Sequence, residues 1–306
     1  MEILAAVLIT IIGAATPLLF VAIGELVVEK SGVLNLGVEG MIIMGAVCGF
    51  IAALLSGSGM LGVLAGLAAG VAMSMIFAFF TQSLMTSQVA TGLALTLLGL
   101  GLSGLIGESY TGQPGVKLQA LAIPAVSNIP FVGPILFGHD ILVYLSLALT
   151  ASVAYVLFRT RIGLIIIAVG GNPHSAHLLG FNVIGVRYAC IAFGGACSGL
   201  AGAYLSLAYT SQWIENMSAG RGWIALALVV FATWLPKRVL IGAYLFGTVW
   251  IMGLYVQGLG MAIPSQLLSS LPYLVTIAAL IIISGNKTIT RVNTPTSIGQ
   301  PFAPER

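Results

Sequence analysis

The chain has 306 residues, of which 59% are hydrophobic and only 6% are charged, and its formal net charge is +3. Soluble domains carry about a quarter charged residues, so this composition cannot cover a water-facing surface and the chain must lie mostly in lipid. The small positive charge is no indication of nucleic-acid binding. The sequence excludes a soluble catalytic domain and predicts an all-α polytopic membrane protein.

Long runs without charge mark the membrane spans. No Asp, Glu, Lys or Arg occurs in residues 40–107, 188–214 or 239–286. These runs, together with the other apolar segments, predict about nine transmembrane helices (eight to ten) of about 20 residues each. The predicted spans are 3–24, 33–55, 61–81, 89–107, 140–158, 188–210, 222–236, 239–260 and 270–284.

The first polar motif, GELVVEKSGVLNLGVEG at residues 24–40, follows the first span. The charged residues at its start are expected to be ordinary interfacial residues at a helix end. They are Glu25, Glu29 and Lys30.

Asn35 and Glu39 lie deeper in this motif, before a charge-free run. Polar groups that enter an apolar region are costly and often face a cavity, so these two are candidates for a translocation path. The glycines beside them predict an interrupted helix of the kind that lines such paths. Gln88 and Thr91 are further path candidates, with interhelical hydrogen bonding as their alternative role.

Small residues recur every four positions in two of the predicted spans. Such faces let helix backbones approach closely in lipid, and they predict packing within the chain rather than a dimer seam. The glycines concerned are Gly62, Gly66, Gly70, Gly195 and Gly199.

Two loops are predicted on the outer side of the membrane. Residues 108–139 are rich in Gly and Pro and predict an irregular cap with little helix. Residues 211–221 are polar, and Trp213 within this loop and Trp223 just after it are expected as interfacial anchors. Two charges in the second loop are candidates for pairing with each other or for docking a partner. They are Glu215 and Arg221.

Cations cluster beside three predicted membrane ends. By the positive-inside rule these ends are cytoplasmic, as is the carboxyl terminus. The polar, proline-containing tail, residues 287–306, is predicted to be disordered. The cations are Arg159, Arg161, Arg187, Lys237, Arg238, Lys287 and Arg291.

The cytoplasmic loop 159–187 contains signals for a short helix. Asn172 is a good N-cap, and Pro173 suits the first turn because its missing N–H would be unpaired there. Gly180 suits the left-handed position after a helix end. Two turns are marginal in water without further contacts. Leu178 and Leu179 can supply them, against the membrane domain or against the groove of a partner.

Catalytic and metal-binding motifs are missing from the sequence. There is no phosphate-binding GxxxxGK[ST] loop, no HExxH and no CxxC. His174 and His177 are three residues apart but no third metal ligand is near in sequence, so no metal is expected. The three cysteines occur in apolar runs and are expected to serve packing. We expect neither an enzyme nor a bound cofactor.

Three stretches in order resemble one family. They are SGVLNLGVEGMIIMGA (31–46), RTRIGLIIIAVGGNPHSAHLLGFNVIGVR (159–187) and AGRGWIALALVVFATWLPKRVLIGAYLFG (219–247). Together they resemble the permease subunits of ABC importers of the branched-chain amino acid, ribose and nucleoside type. The simple-sugar and nucleoside branch is the most similar, and the resemblance extends over roughly residues 10–285.

The resemblance implies a type II-like ABC importer permease fold over residues 1–286, in a bacterial plasma membrane. It implies import of nucleosides or simple sugars, with ATP and Mg²⁺ bound by a partner ATPase. An extracytoplasmic substrate-binding protein and a second, related permease in a heterodimer are the other implied partners. The residues that match the coupling segment of the family are Gly171, Asn172, Pro173, His174, Ser175, Ala176, Leu179 and Gly180.

Some points depart from this interpretation or stay open. Gly170 and Gly171 stand where many relatives carry a charged residue. A weak similarity between residues 35–46 and 218–229 predicts inverted repeats. A stand-alone secondary transporter or channel, and an intramembrane assembly subunit, are the alternative functions.

Overall fold

The computed structural model describes residues 2–121, 133, 137–258, 264–284 and 293–303. Parts of the predicted outer loop and of the tail lie outside these residues. Within them the regular structure is helical.

Eleven α-helices lie in the described residues, and two of them continue into a π-helical turn. They are α1 (Glu2–Lys30), α2 (Val38–Ser56), α3 (Gly59–Ala78, continued by Phe79–Ser83), α4 (Gln88–Gly107), α5 (Ile141–Arg159), α6 (Arg161–Gly171), α7 (Pro173–Leu178), α8 (Val183–Tyr204, continued by Leu205–Tyr209), α9 (Arg221–Phe231), α10 (Pro236–Gly258) and α11 (Ser265–Ser284).

Seven helices in the described part of the chain are long and apolar enough to cross a membrane, namely α1–α5, α8 and α10. The protein is therefore a multi-pass membrane protein, but the predicted count of nine spans is not confirmed. The segment predicted as a span at 222–236 coincides with α9, which has only 11 residues and ends at Phe231. At 1.5 Å per residue α9 is about 16 Å long, half of a hydrocarbon core of about 30 Å.

Helices α1–α5 and α8 alternate in direction, and α10 runs in the same direction as α8, so the helix ends gather at two ends of the bundle. Ser83 and Tyr188 bond through their hydroxyls at 2.6 Å, which joins the end of α3 to the start of α8. The Trp234 indole donates to Glu29 at 2.5 Å and joins the segment after α9 to the end of α1. These ends, together with α6 and α7, form what we call the α7 end.

The opposite end of the bundle carries the described part of the predicted outer loop. Residues 111–121 lie there, with a turn at 111–112 and no helix. The amide of Gly115 donates to Ser211 O, and the amide of Leu118 donates to Leu207 O, both at 3.1 Å. The predicted lack of helix is confirmed for these residues.

Close contacts between glycines pack the helices at the centre of the bundle. The central helix is α8, in whose most apolar stretch 83% of the residues are buried. A Cβ built on Gly45 of α2 would lie 2.6 Å from Gly199 O of α8. One built on Gly66 of α3 would lie 2.8 Å from the Cβ of Ala203, also in α8. The predicted close packing of small residues within the chain is confirmed.

Gly45→Ala is expected to lower the free energy of unfolding by about 1–3 kcal/mol, because overpacking forces neighbouring backbone apart. Thermal unfolding in detergent measures the change. Gly101→Ala is the matched control, since a Cβ there meets nothing within 4 Å in the same kind of helix. Equal midpoints for the two variants would contradict the packing account.

One side of the bundle is left uncovered by the part of the chain that the structure describes. Only 28% of the residues in the most apolar stretch of α4 are buried, against 72% in that of α2. Leu97 and Leu105 of α4 are 70% and 71% exposed. Such a face can meet lipid or a second subunit.

The cysteines Cys48, Cys190 and Cys197 are free, as the sequence predicted.

Candidate functional site

The short helix predicted in the loop 159–187 is present as α7, and its predicted caps are confirmed. Asn172 Oδ1 accepts from the amide of Ser175 at 3.0 Å. Pro173 occupies the first turn. Gly180 has φ +88°, a left-handed conformation that favours glycine.

The two faces of α7 differ in exposure. Ala176 is 2% exposed and Pro173 is buried, so this face packs on the protein. Leu178 and Leu179 are 86% and 75% exposed at the tip of the loop. These leucines do not pack against the membrane domain of their own chain. Their burial therefore requires another molecule.

The glycine pair before α7 has a structural cause at one of its two positions. A Cβ on Gly170 would lie 2.9 Å from the carbonyl carbon of Lys30 and 3.0 Å from Gly32 N. A Cβ on Gly171 would meet nothing within 4 Å. A charged residue could therefore replace Gly171 but not Gly170, because α6 packs directly on the backbone that follows α1.

Residues 31–37, which connect α1 to α2, form a buried polar turn. Asn35 is fully buried and donates from Nδ2 to Glu25 Oε1 at 3.2 Å. Its Oδ1 accepts from the amide of Gly37 at 3.0 Å. The predicted interruption between the helices is confirmed, and the side chain of Asn35 stabilises it.

Glu39 joins two helix starts in the interior. Its carboxylate accepts from Gly220 N at 2.8 Å and from Gly222 N at 2.7 Å, while Glu39 itself lies in the first turn of α2. Helix N-termini carry partial positive charge, so a carboxylate between two of them is favourable. α9 runs from this point toward the α7 end, which places Glu39 about 16 Å from that end.

The two segments with weak internal similarity therefore begin at the same buried point. Residues 35–46 contain the start of α2, and residues 218–229 contain the start of α9. The carboxylate contacts described above bridge them.

Gln88 and Thr91 lie in the first turn of α4, beside the polar turn. Gln88 is 3% exposed and its Oε1 accepts from Leu34 N at 2.8 Å, while its Nε2 has no hydrogen-bond partner among the described residues. The hydroxyls of Thr91 and Thr86 bond at 2.8 Å. All four predicted path residues thus lie in or beside the polar turn. Each of them forms a hydrogen bond within the protein.

The expectation that Glu25, Glu29 and Lys30 are interfacial is wrong. They are 0%, 1% and 5% exposed. The first two face the interior because they are four residues apart on one side of α1 and find partners there, Asn35 and Trp234. The i, i+4 spacing of the two carboxyl groups was a signal for a shared helix face.

The loop 211–221 is only partly a surface loop. Glu215 is exposed. Arg221 is 8% exposed, and its guanidinium lies 5.8 Å from the Tyr209 ring centroid and 5.0 Å from that of Trp250. Arg221 is therefore not presented to a docking partner in this structure. Trp213, expected as an interfacial anchor, is 1% exposed, so that expectation is wrong.

The predicted disorder of the tail is wrong for residues 293–303, which we call the strap. Its Phe302 is 4% exposed. The first residues of the tail, 287–292, and the last, 304–306, lie outside the described residues. Arg187, expected as a cytoplasmic loop cation, is 0% exposed and bonds to the strap. No local sequence pattern connects residues so far apart in the chain.

Comparison with known proteins adds independent evidence. The family described as branched-chain amino acid transport system / permease component matches residues 7–284. A Haloferax volcanii protein assigned as a glucose ABC transporter permease is 42% identical over 87% of this chain and 88% of its own length.

Two further relatives are also similar over nearly their full length. The nucleoside ABC transporter permease of Lactococcus lactis is 31% identical over 89% of this chain and 90% of its own. The guanosine ABC transporter permease of Bacillus subtilis is 31% identical over 94% of this chain and 93% of its own.

Proposed function

Because this chain belongs to the branched-chain amino acid transport permease family and is the membrane permease subunit of an ABC importer, we propose that α7 is its ATPase-docking helix. The observation that supports this role is the exposure of Leu178 and Leu179, 86% and 75%, on a capped helix that is too short to be stable alone. ATP and Mg²⁺ are bound by the partner, which closes on nucleotide and moves α7.

The α7 end is then the cytoplasmic side, together with the carboxyl terminus. Arg159, Arg161, Lys237 and Arg238 lie at this end and agree with the positive-inside rule. The bilayer concerned is the bacterial plasma membrane. The opposite end, with residues 111–121 and exposed Glu215, receives the extracytoplasmic substrate-binding protein.

The translocation path runs beside the polar turn and the uncovered face of α4. Gln88 supports this position because its buried Nε2 lacks a hydrogen-bond partner among the described residues. A second, related permease covers the face of Leu97 and Leu105, in a heterodimer. The 42% identity to a glucose permease and the two nucleoside relatives support a neutral solute, a simple sugar or a nucleoside.

Affinity purification of the tagged chain from its native membrane in mild detergent tests the assembly. We expect an ABC ATPase and a second permease among the recovered proteins. A membrane protein of another class, tagged in the same way, is the control. Recovery without any ATPase would count against the docking role of α7, and uptake by the purified chain alone would favour a secondary transporter.

Changing Asn172→Ala together with Gly180→Pro is expected to reduce ATP-driven uptake about tenfold while the protein remains folded. Loss of the cap costs about 1 kcal/mol, and proline cannot adopt the positive φ of Gly180. Uptake into vesicles and ATP hydrolysis are measured in parallel. Gly57→Pro is the control, because Gly57 also has a positive φ (+68°) but ends α2 at the opposite end. Equal uptake by the double variant and the wild type would contradict the proposal.

A further inference from the structure

The strap is bonded to the backbone carbonyls of Gly170 and Gly171. Ser297 donates to Gly170 O from its amide at 3.1 Å and from its hydroxyl at 2.7 Å. The Thr296 hydroxyl donates to Gly171 O. These bonds fix the strap to the end of α6, immediately before the N-cap of α7.

Phe302 anchors the other end of the strap under α7. Its ring lies edge-on to His174 and His177, with centroids 5.2 Å and 5.7 Å away. It is buried in one apolar cluster with Ala176 and Val169. A six-residue helix is marginal without such contacts. Phe302 therefore supplies much of the surface on which the buried face of α7 rests.

The strap also bonds to the polar turn and its flanks. The amide of Gly299 donates to Gly32 O at 3.1 Å. Lys30 Nζ donates to Asn293 O at 2.8 Å. The same short segment thus contacts the docking helix and the connection between α1 and α2.

Arg187 completes this link from inside the bundle. Its Nε donates to Ser31 O at 3.2 Å, and its Nη1 donates to Gln300 O at 3.1 Å. Its Nη2 lies 3.5 Å from Ser297 Oγ. A buried guanidinium needs its donors satisfied, so movement of the strap and movement of the turn are coupled through it.

We propose that the strap positions α7 and carries its displacement to the polar turn, where Asn35 and Glu39 hold the interrupted helices. The proposal rests on the docking role of α7. In this role Phe302 and Arg187 are positioning residues, since they act through α7 and the turn. The strap couples the movement of the ATPase to the translocation path, but the ATPase does not bind to the strap itself.

Removal of residues 294–306 tests the link in the assembled complex in lipid nanodiscs. We expect the ATPase to co-purify as before, because Leu178 and Leu179 are intact, while solute transported per ATP hydrolysed falls about tenfold. Removal of residues 304–306 alone keeps the described strap and is the matched control. Backbone hydrogen exchange in residues 173–180 and 31–37 should accelerate at least tenfold in the shorter chain only.

Phe302→Ala is the second variant, with Phe302→Leu as its conservative partner. We expect the alanine variant to show most of the loss in coupling and the leucine variant to restore most of it, since leucine keeps apolar contact with Ala176. Unchanged coupling or unchanged exchange in both the truncated chain and Phe302→Ala would overturn the proposal. Loss of ATPase co-purification in Phe302→Ala with unchanged exchange in residues 173–180 would overturn it too, because Phe302 would then contact the ATPase directly.

Failure of the docking role itself would look different. A wild-type complex with no ATPase would then be recovered, before any change in the strap is made. The two hypotheses therefore fail on separate measurements.

Discussion

Replacing Leu178 and Leu179 together by serine is expected to weaken binding of the ATPase about 100-fold and to abolish ATP-driven uptake. Full burial of a leucine side chain contributes about 1.5–3 kcal/mol, and about 3 kcal/mol over two side chains corresponds to a factor of about 100 in affinity. The fold should be unaffected, since both side chains are already exposed to solvent. Co-purification and vesicle uptake measure the two effects.

Leu55→Ser is the control for this pair. Leu55 is 74% exposed, as is Leu179 to within a percent, but it lies near the end of α2 at the opposite end of the bundle. It should retain ATPase binding in full. If the double serine variant binds the ATPase as tightly as Leu55→Ser does, then α7 is not the docking helix.

Glu39→Gln is expected to destabilise the fold by about 3 kcal/mol and to reduce transport with it. The amide can accept from only one of Gly220 and Gly222, and its NH₂ faces the other N–H. An unsatisfied buried donor costs about 1–3 kcal/mol, and the lost attraction between the carboxylate and two helix N-termini adds to this cost. The thermal midpoint in detergent and the yield of folded protein report the change.

Glu215→Gln removes the same charge from an exposed position and is the matched control. It should leave the midpoint within error of the wild type. A Glu39→Gln protein of normal stability that fails to transport would instead indicate that the carboxylate contacts the solute. That result would support Glu39 as a residue of the translocation path, as the sequence predicts.

Features fixed by a few neighbouring residues could be predicted from the sequence. The caps of α7 depend on Asn172, Pro173 and Gly180, all within one short segment. The glycine faces depend on four-residue spacing, which requires only a helix to be meaningful. The long runs without charge predicted most of the long helices, because apolar composition is also a property of neighbouring residues.

Features that depend on distant partners could not be predicted in this way. Its position at a helix end predicts that Glu29 is interfacial. Its burial depends on a hydrogen bond from Trp234, which is 205 residues away in the chain. The polar composition of the tail predicts disorder, because composition alone does not show that Phe302 packs against α7. Hydropathy gave residues 222–236 as one span, although the apolar helix there stops at Phe231 and only half crosses the bilayer.

The environment of Arg187 has a consequence for biosynthesis. Its partners Ser297 and Gln300 follow it by 110 and 113 residues, so they leave the ribosome long after α8 has entered the membrane. Until then the Arg187 guanidinium lacks two of its three acceptors, and α7 lacks its contacts with Phe302. On the proposed role of the strap, chains that end before it can insert into the membrane but cannot couple ATP hydrolysis to transport.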